Sequence, residues 1–129
     1  MLKLEKISKY YFTGNNVVLA LRRINLNFRL GEFVAITGES GSGKSTLLNV
    51  LSGLDTYEEG KVYFNGEDIS HYSVEELEHY RKDYIGYVFQ EYNIINSYTV
   101  YQNVELALTV QGLNKEETHK RVLELIEQV

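Results

Sequence analysis

The chain has 129 residues, of which 43% are hydrophobic and 24% charged, enough for one ordinary domain to bury a core. Its net charge of −5 argues against a general nucleic-acid binder, because that task shows a basic patch that neutralises phosphates. No apolar run reaches the roughly 18 residues needed to cross a bilayer, and the start MLKLEKISKYY lacks the apolar core of a signal peptide, so a cytoplasmic protein is expected.

Cysteine is absent, which removes disulfides, thiolate metal sites and thiol nucleophiles. Proline is absent too, leaving glycine and Asx or Ser positions to make the turns. Residues 2–11 alternate between apolar and polar, and GNN at 14–16 breaks the run before VVLALRRINLNFRL, which places Ile24, Leu26, Phe28 and Leu30 on one face. Two half-buried antiparallel strands are expected, closed by Gly31. FVAIT at 33–37 is almost wholly apolar and β-branched, the pattern of a strand buried on both faces and central in its sheet. KSTLLNVLSG then carries Leu47, Leu48, Val50 and Leu51 at helical spacing and stops at Gly53.

Further along, KVYF sits between Gly60 and the Asn65-Gly66 pair, the mark of a short strand with a tight turn. Ser73-Val-Glu-Glu76 fits a capping box for a helix from 74 to about 82, with Leu77 and Tyr80 inward. YIGYVF at 84–89 reads as another apolar strand. Ser97 or Thr99 is placed to cap a helix running to Gly112, and Asn114-Lys-Glu-Glu117 to cap one more with Val122, Leu123, Ile126 and Val129 as its apolar stripe.

Between FVAIT and the first helix lies GESGSGKS, which matches G-x-x-x-x-G-K-[ST] at Gly38, Gly43, Lys44 and Ser45. A loop that wraps a diphosphate must aim several backbone N–H groups inward, which needs positive φ angles and no Cβ in the way. Gly38, Gly41 and Gly43 supply those positions. The helix that starts near Lys44 adds its unpaired N–H groups and the positive end of its dipole. Lys44 is then placed to reach the β- and γ-phosphates, Ser45 to ligate Mg²⁺ and Thr46 to touch the α-phosphate. A Gly/Ser turn would meet this pattern by accident in roughly half a percent of chains this long. Here the leading apolar run and the following amphipathic helix are also those that the mechanism requires.

A GTPase is not supported: Asp55-Thr-Tyr-Glu lacks the glycine of D-x-x-G, and Asn114-Lys-Glu-Glu117 lacks the aspartate of N-K-x-D. Instead YVFQEYN at 87–93 resembles the ATP-binding subunit of ABC transporters, in which a buried strand ends in the glutamine of the Q-loop. LRRINLNFRLGEFVAITGESGSGKSTLLNVLSGLDTYEEGKVYFNGEDI is similar throughout to the N-terminal half of that family. DYIGYVFQEYNIINSYTVYQNVELAL is similar to its macrolide-export and lipoprotein-release subgroup, and the resemblance covers essentially the whole chain. It implies an α/β fold, a P-loop NTPase core with an antiparallel β subdomain and the start of a helical subdomain, incomplete within these residues. Residues 1–91 would form the β subdomain and core, and 92–129 the Q-loop and the first helices.

On that resemblance the cofactors are ATP and Mg²⁺. Gly38, Glu39, Ser40, Gly41, Ser42, Gly43, Lys44, Ser45 and Thr46 hold phosphates, Tyr11 stacks on adenine with Tyr10 as its rival, and Ser45 and Gln90 ligate the metal. Lys44 and Gln90 are the catalytic candidates, Gln90 also orienting the attacking water. Glu39 departs from the proline or alanine usual in the family, and its carboxylate is expected to point away from the phosphates. The implied partners are a membrane permease reached through the 90–100 region, with the apolar tip YNIINSY, and a second ATP-binding subunit in a head-to-tail dimer. The implied location is the inner face of the cell membrane, peripheral through the permease.

The LSGGQ-type signature, a Walker B strand ending in Asp, the adjacent catalytic Glu and a switch His are not found; LSGLD at 51–55 fails at two positions and lies in the turn after the first helix. His71, His79 and His119 have no ligand spacing. Alone, these residues are expected to bind nucleotide weakly and not to turn it over. The family's core sheet draws strands from both halves, so FVAIT and its neighbours would lack partners and leave an apolar edge uncovered, with instability or aggregation to follow. Two other readings stand beside this one. One is a non-catalytic module whose loop binds nucleotide as a switch; the other is an ABC ATPase in a non-transport role such as cell-division signalling.

Overall fold

The computed structural model describes all 129 residues, and they form two compact units, Met1–Asp83 and Tyr84–Val129. In the first, strands β1 (Leu2–Thr13) and β2 (Asn16–Phe28) pair antiparallel, from Thr13↔Asn16 at the turn to Leu2↔Phe28 at the open end. Strand β3 (Glu59–Phe64) adds to the other side of β1 with Leu4 opposite Val62, and the two-residue β4 (Glu67–Asp68) completes a sheet of order β2-β1-β3-β4. The Asn65-Gly66 turn between β3 and β4 has positive φ at both residues, 50° and 90°, as its sequence requires. The register shift between Leu4 and Ile7, with Lys6 at φ 53°, lets both of these residues turn inward with Leu21 and Val62, all at most 4% exposed; burying each such side chain stabilises by about 1.5–3 kcal/mol.

Helix α1 (Lys44–Leu51) packs against β2 and buries Leu47, Val50 and Leu51. Its C-terminus closes as its sequence indicates, with Gly53 at φ 69° and its N–H bonded to the Val50 carbonyl at 3.1 Å. Helix α2 (Val74–Tyr84) carries the reciprocal Ser73–Glu76 capping box, with Glu76 N–H donating to Ser73 Oγ at 3.2 Å and Ser73 N–H to Glu76 Oε2 at 2.7 Å. It buries Tyr80, whose ring meets Phe64 edge-on at 5.2 Å and whose hydroxyl donates to the Leu51 carbonyl at 3.0 Å. That bond ties α2 to the end of α1.

In the second unit α3 (Val100–Val110) and α4 (Lys115–Glu127) pack together through Leu108, Thr118 and Val122. Both begin with complete capping boxes, Thr99–Gln102 and Asn114–Glu117, which settles the α3 cap on Thr99 rather than Ser97.

Three expectations need correcting. FVAIT at 33–37 and YIGYVF at 84–89 are in no strand. Phe33 is 98% and Val88 96% exposed, the opposite of a central strand. An apolar run becomes a strand only when a neighbour supplies its ladder hydrogen bonds, and the sheet contains none for either run. Apolar side chains such as Phe33, Val34 and Val88 are therefore uncovered, but as residues outside any strand and not as the edge of one. The apolar stripe on α4 is also narrower than its spacing suggests: Val122 is fully buried, whereas Leu123 is 45% exposed and Val129 wholly so.

Candidate functional site

The loop from Gly38 to Gly43 links FVAIT to α1, and its backbone has the geometry that its glycines permit. Gly41 and Gly43 have φ of 79° and 89°, and Gly38 has φ of 155°. At Gly41 a Cβ would meet nothing within 4 Å, so there the need is for the dihedral alone. At Gly43 a Cβ would fall 2.5 Å from the carbonyl oxygen of Ala20 on β2, so the dihedral and the close approach of strand to helix both demand glycine.

Gly43 is the N-cap of α1 and offers no side-chain cap, and no acidic residue stands in the first turn. The helix therefore presents unpaired N–H groups and an uncompensated positive dipole end toward the loop. Lys44 curls over the same loop, its ammonium donating to the carbonyls of Gly38 at 2.9 Å and Glu39 at 2.5 Å and to Ser42 Oγ at 3.3 Å. The Glu39 carboxylate makes no ion pair with it; the main chain holds it. Ser45 is exposed and Thr46 partly so, both on the first turn of α1. A loop with positive φ at Gly38, Gly41 and Gly43, an open helix N-terminus and a cation at its centre fits a polyphosphate.

Tyr11 stands near the end of β1, 38% exposed. Its hydroxyl donates to Asp55 Oδ2 at 2.6 Å, and the Lys9 ammonium lies 5.1 Å from the ring centroid. Lys9 is only 5% exposed and is paired with Asp55 Oδ1 at 3.1 Å and Glu58 Oε1 at 3.4 Å, with Thr56 Oγ1 also at 3.4 Å. The hydrogen bond to Asp55 and partial burial hold the Tyr11 phenol above its usual range, opposed by a hydrogen bond with the Thr46 side chain. Burial would raise the Asp55 carboxyl, but the bonds from Tyr11, Lys9 and the Thr56 N–H outweigh it and hold it below the usual range. Tyr10, the rival aromatic, is half-buried and gives its backbone N–H to Glu58 Oε2 at 2.7 Å.

The structure thus gathers 38–46 and Tyr11 in the first unit, while Gln90 lies in the second, exposed on a turn that runs into Tyr92 and Asn93 at positive φ. Just beyond it, Tyr92, Ile94 and Ile95 are 82%, 62% and 38% exposed, and Tyr98 is 45% exposed. Asn103 of α3 fastens this loop from behind: its Oδ1 accepts from Ile95 N–H at 2.8 Å, and its Nδ2 donates to the carbonyls of Ile95, Tyr98 and Thr99.

The sequence reading missed Lys9, Asp55, Glu58 and Asn103. Lys9 had a signal, since residues two apart on a strand share a face and Tyr11 was already singled out. The others are brought in by tertiary packing. His119, which has no ligand spacing in the sequence, shares a hydrogen bond of 2.7 Å with the Tyr101 hydroxyl and so links α4 to α3.

The glycine loop running into α1 is that of the P-loop class. Comparison with known proteins then fixes the family: the ABC transporter family model matches residues 21–129, and the chain belongs to that family. It is 43% identical over 129 residues to the ABC transporter ATP-binding protein MJ0796 of Methanocaldococcus jannaschii, covering 98% of this chain and 55% of that one. A dimeric, post-hydrolysis structure of that cassette with ADP and Pi superposes with a TM-score of 0.88 at 42% identity, covering 98% of this chain and 56% of that one. The methionine import ATP-binding protein MetN of Clostridium acetobutylicum is 42% identical over all of this chain and 39% of its own length. The macrolide export ATP-binding/permease protein MacB of Brucella abortus is 43% identical, over 98% of this chain and 20% of its own length. The chain thus spans about half or less of the length of these relatives.

Proposed function

We propose that this chain is the ATP-binding part of an ABC transporter ATPase that couples ATP binding and hydrolysis to a membrane permease. The observation that carries the reading is the Gly38–Thr46 loop, where the open N-terminus of α1 and the Lys44 ammonium face one anion-shaped turn. In this reading Lys44 leaves the loop carbonyls for the β- and γ-phosphates, and the N–H groups of residues 40–46 receive them. Glu39 contributes through its main chain. Ser45 and Gln90 are the metal ligands that the family resemblance implies, and Tyr11 is its adenine-stacking aromatic. Mg²⁺ bound there would neutralise charge on the β- and γ-phosphates.

The exposed apolar loop 92–98, held by Asn103, is our candidate contact for the permease. A second cassette would supply the opposing wall of the nucleotide site, a reading supported by the dimeric form of the MJ0796 structure. These roles place the protein on the inner face of the cell membrane, and no helix of the chain is long and apolar enough to cross it.

We read the direction as export or extraction of a peptide, lipoprotein or drug, supported by the resemblance of residues 83–108 to that subgroup and by the likeness to MacB. Import is the second reading, favoured by an identity to MetN that is almost equal. The test is turnover of MgATP by the purified full-length protein together with its Lys44→Ala variant. The reading requires activity that this substitution abolishes; hydrolysis indifferent to Lys44 would sink it.

A further inference from the structure

Lys9, Asp55 and Glu58, to which the proposed function gives no role, form a bonded cluster around Tyr11. Asp55 divides its two oxygens between two tasks: Oδ1 accepts from the Lys9 ammonium at 3.1 Å and from the Thr56 N–H at 2.8 Å, and Oδ2 accepts from the Tyr11 hydroxyl at 2.6 Å. A lysine only 5% exposed must keep its partners, so Lys9, Asp55 and Glu58 hold one another in place. The same ammonium lies 5.1 Å from the Tyr11 ring centroid and backs one face of the ring. A ring anchored at its hydroxyl and covered on one side has little rotational freedom left, yet Tyr11 stays 38% exposed. Asp55 is itself fixed to the far end of α1, its N–H donating to the Asn49 carbonyl at 3.2 Å. The helix that opens on the phosphate loop therefore also ends on the group that holds the ring.

We propose that Asp55, braced by Lys9, is a positioning residue that presets the Tyr11 ring as a platform for the purine base of a bound nucleotide. The proposal rests on reading Tyr11 as the aromatic that stacks on adenine. Its physical content is preorganisation. An exposed tyrosine free to rotate must be immobilised each time a base docks, and a ring already fixed by Asp55 avoids that cost, which corresponds to about a 3- to 10-fold difference in affinity.

The experiment measures binding of MgATP and of magnesium tripolyphosphate, which has no base, to the full-length protein. It uses the variants Tyr11→Ala, Tyr11→Phe and Asp55→Ala and the double variant Tyr11→Phe/Asp55→Ala. Tyr11→Phe keeps the ring and deletes only the anchor. The proposal predicts that it weakens MgATP about 3- to 10-fold, that Asp55→Ala does the same, and that the double variant is no worse than either single one. Tripolyphosphate affinity stays at the wild-type value throughout. Equal losses for both ligands in Asp55→Ala would show a purely structural role and overturn the proposal. If Tyr11→Ala loses MgATP affinity while Tyr11→Phe and Asp55→Ala keep it, stacking stands and positioning falls. If Tyr11→Ala binds MgATP as the wild type does, the stacking reading fails and the proposal fails with it.

Discussion

Replacing Gly43 by alanine tests whether the approach of α1 to β2 shapes the phosphate loop. Two costs add. Alanine at φ 89° is strained by about 1–2 kcal/mol. Its Cβ would also sit 2.5 Å from the Ala20 carbonyl oxygen, where ordinary contact begins at 3.4 Å, a shortfall of 0.9 Å (3.4 − 2.5) against the main chain of β2, where Ala20 is an extra residue between Leu19 and Leu21, both paired with β1. Relieving that shortfall means moving α1 off β2, with overpacking costs of about 1–3 kcal/mol. Gly41→Ala is the internal control, because Gly41 has a similar φ of 79° and nothing within 4 Å of its Cβ position. Urea denaturation of the full-length protein without nucleotide should therefore show Gly43→Ala lower in stability by about 3 kcal/mol and Gly41→Ala by about 1 kcal/mol, with the m-value unchanged. Equal losses for the two variants would refute the argument from contact and leave only the dihedral.

The caps of the second unit are open to a simpler test: Thr99→Ala and Asn114→Ala should each destabilise their helix by about 1 kcal/mol, read as faster amide exchange confined to the first turns of α3 and α4 respectively. Tyr80 gives a pH signature. Burial pushes its phenol up to about 12, so it should titrate late among the eleven tyrosines when followed by ultraviolet absorbance. Because the folded value is raised, its contribution to stability is fully present below about pH 10 and is lost as pH rises through about 12. Tyr80→Phe should remove that dependence and cost about 1 kcal/mol through the lost bond to the Leu51 carbonyl.

Local features were legible in the sequence because their causes are local. The three capping boxes, the Asn65-Gly66 turn and the glycine spacing of the loop each depend on residues within a few positions of one another, and each is found where the residues indicate. FVAIT and YIGYVF failed for the converse reason. Their composition reports a tendency to be buried in a sheet, but a strand exists only with a partner, and composition names no partner. The cluster at Tyr11 was hidden by distance along the chain, since Lys9 and Asp55 meet only after β1 and the turn behind α1 have packed in one unit. Asn103 was hidden differently: an asparagine inside a helical pattern reads as an indifferent surface residue, and its four bonds to the preceding loop follow from how that loop folds back.

The central claim is that the main chain of residues 40–46 receives the phosphates of ATP at the open end of α1. The measurement that reaches it most directly is the backbone amide NMR spectrum of the full-length protein titrated with MgATP and, separately, with magnesium pyrophosphate. Large shifts of the Gly41, Gly43, Lys44, Ser45 and Thr46 amides are expected with both ligands, with additional changes near Tyr11 for MgATP alone. Saturable MgATP binding that left those amides unmoved would contradict the claim.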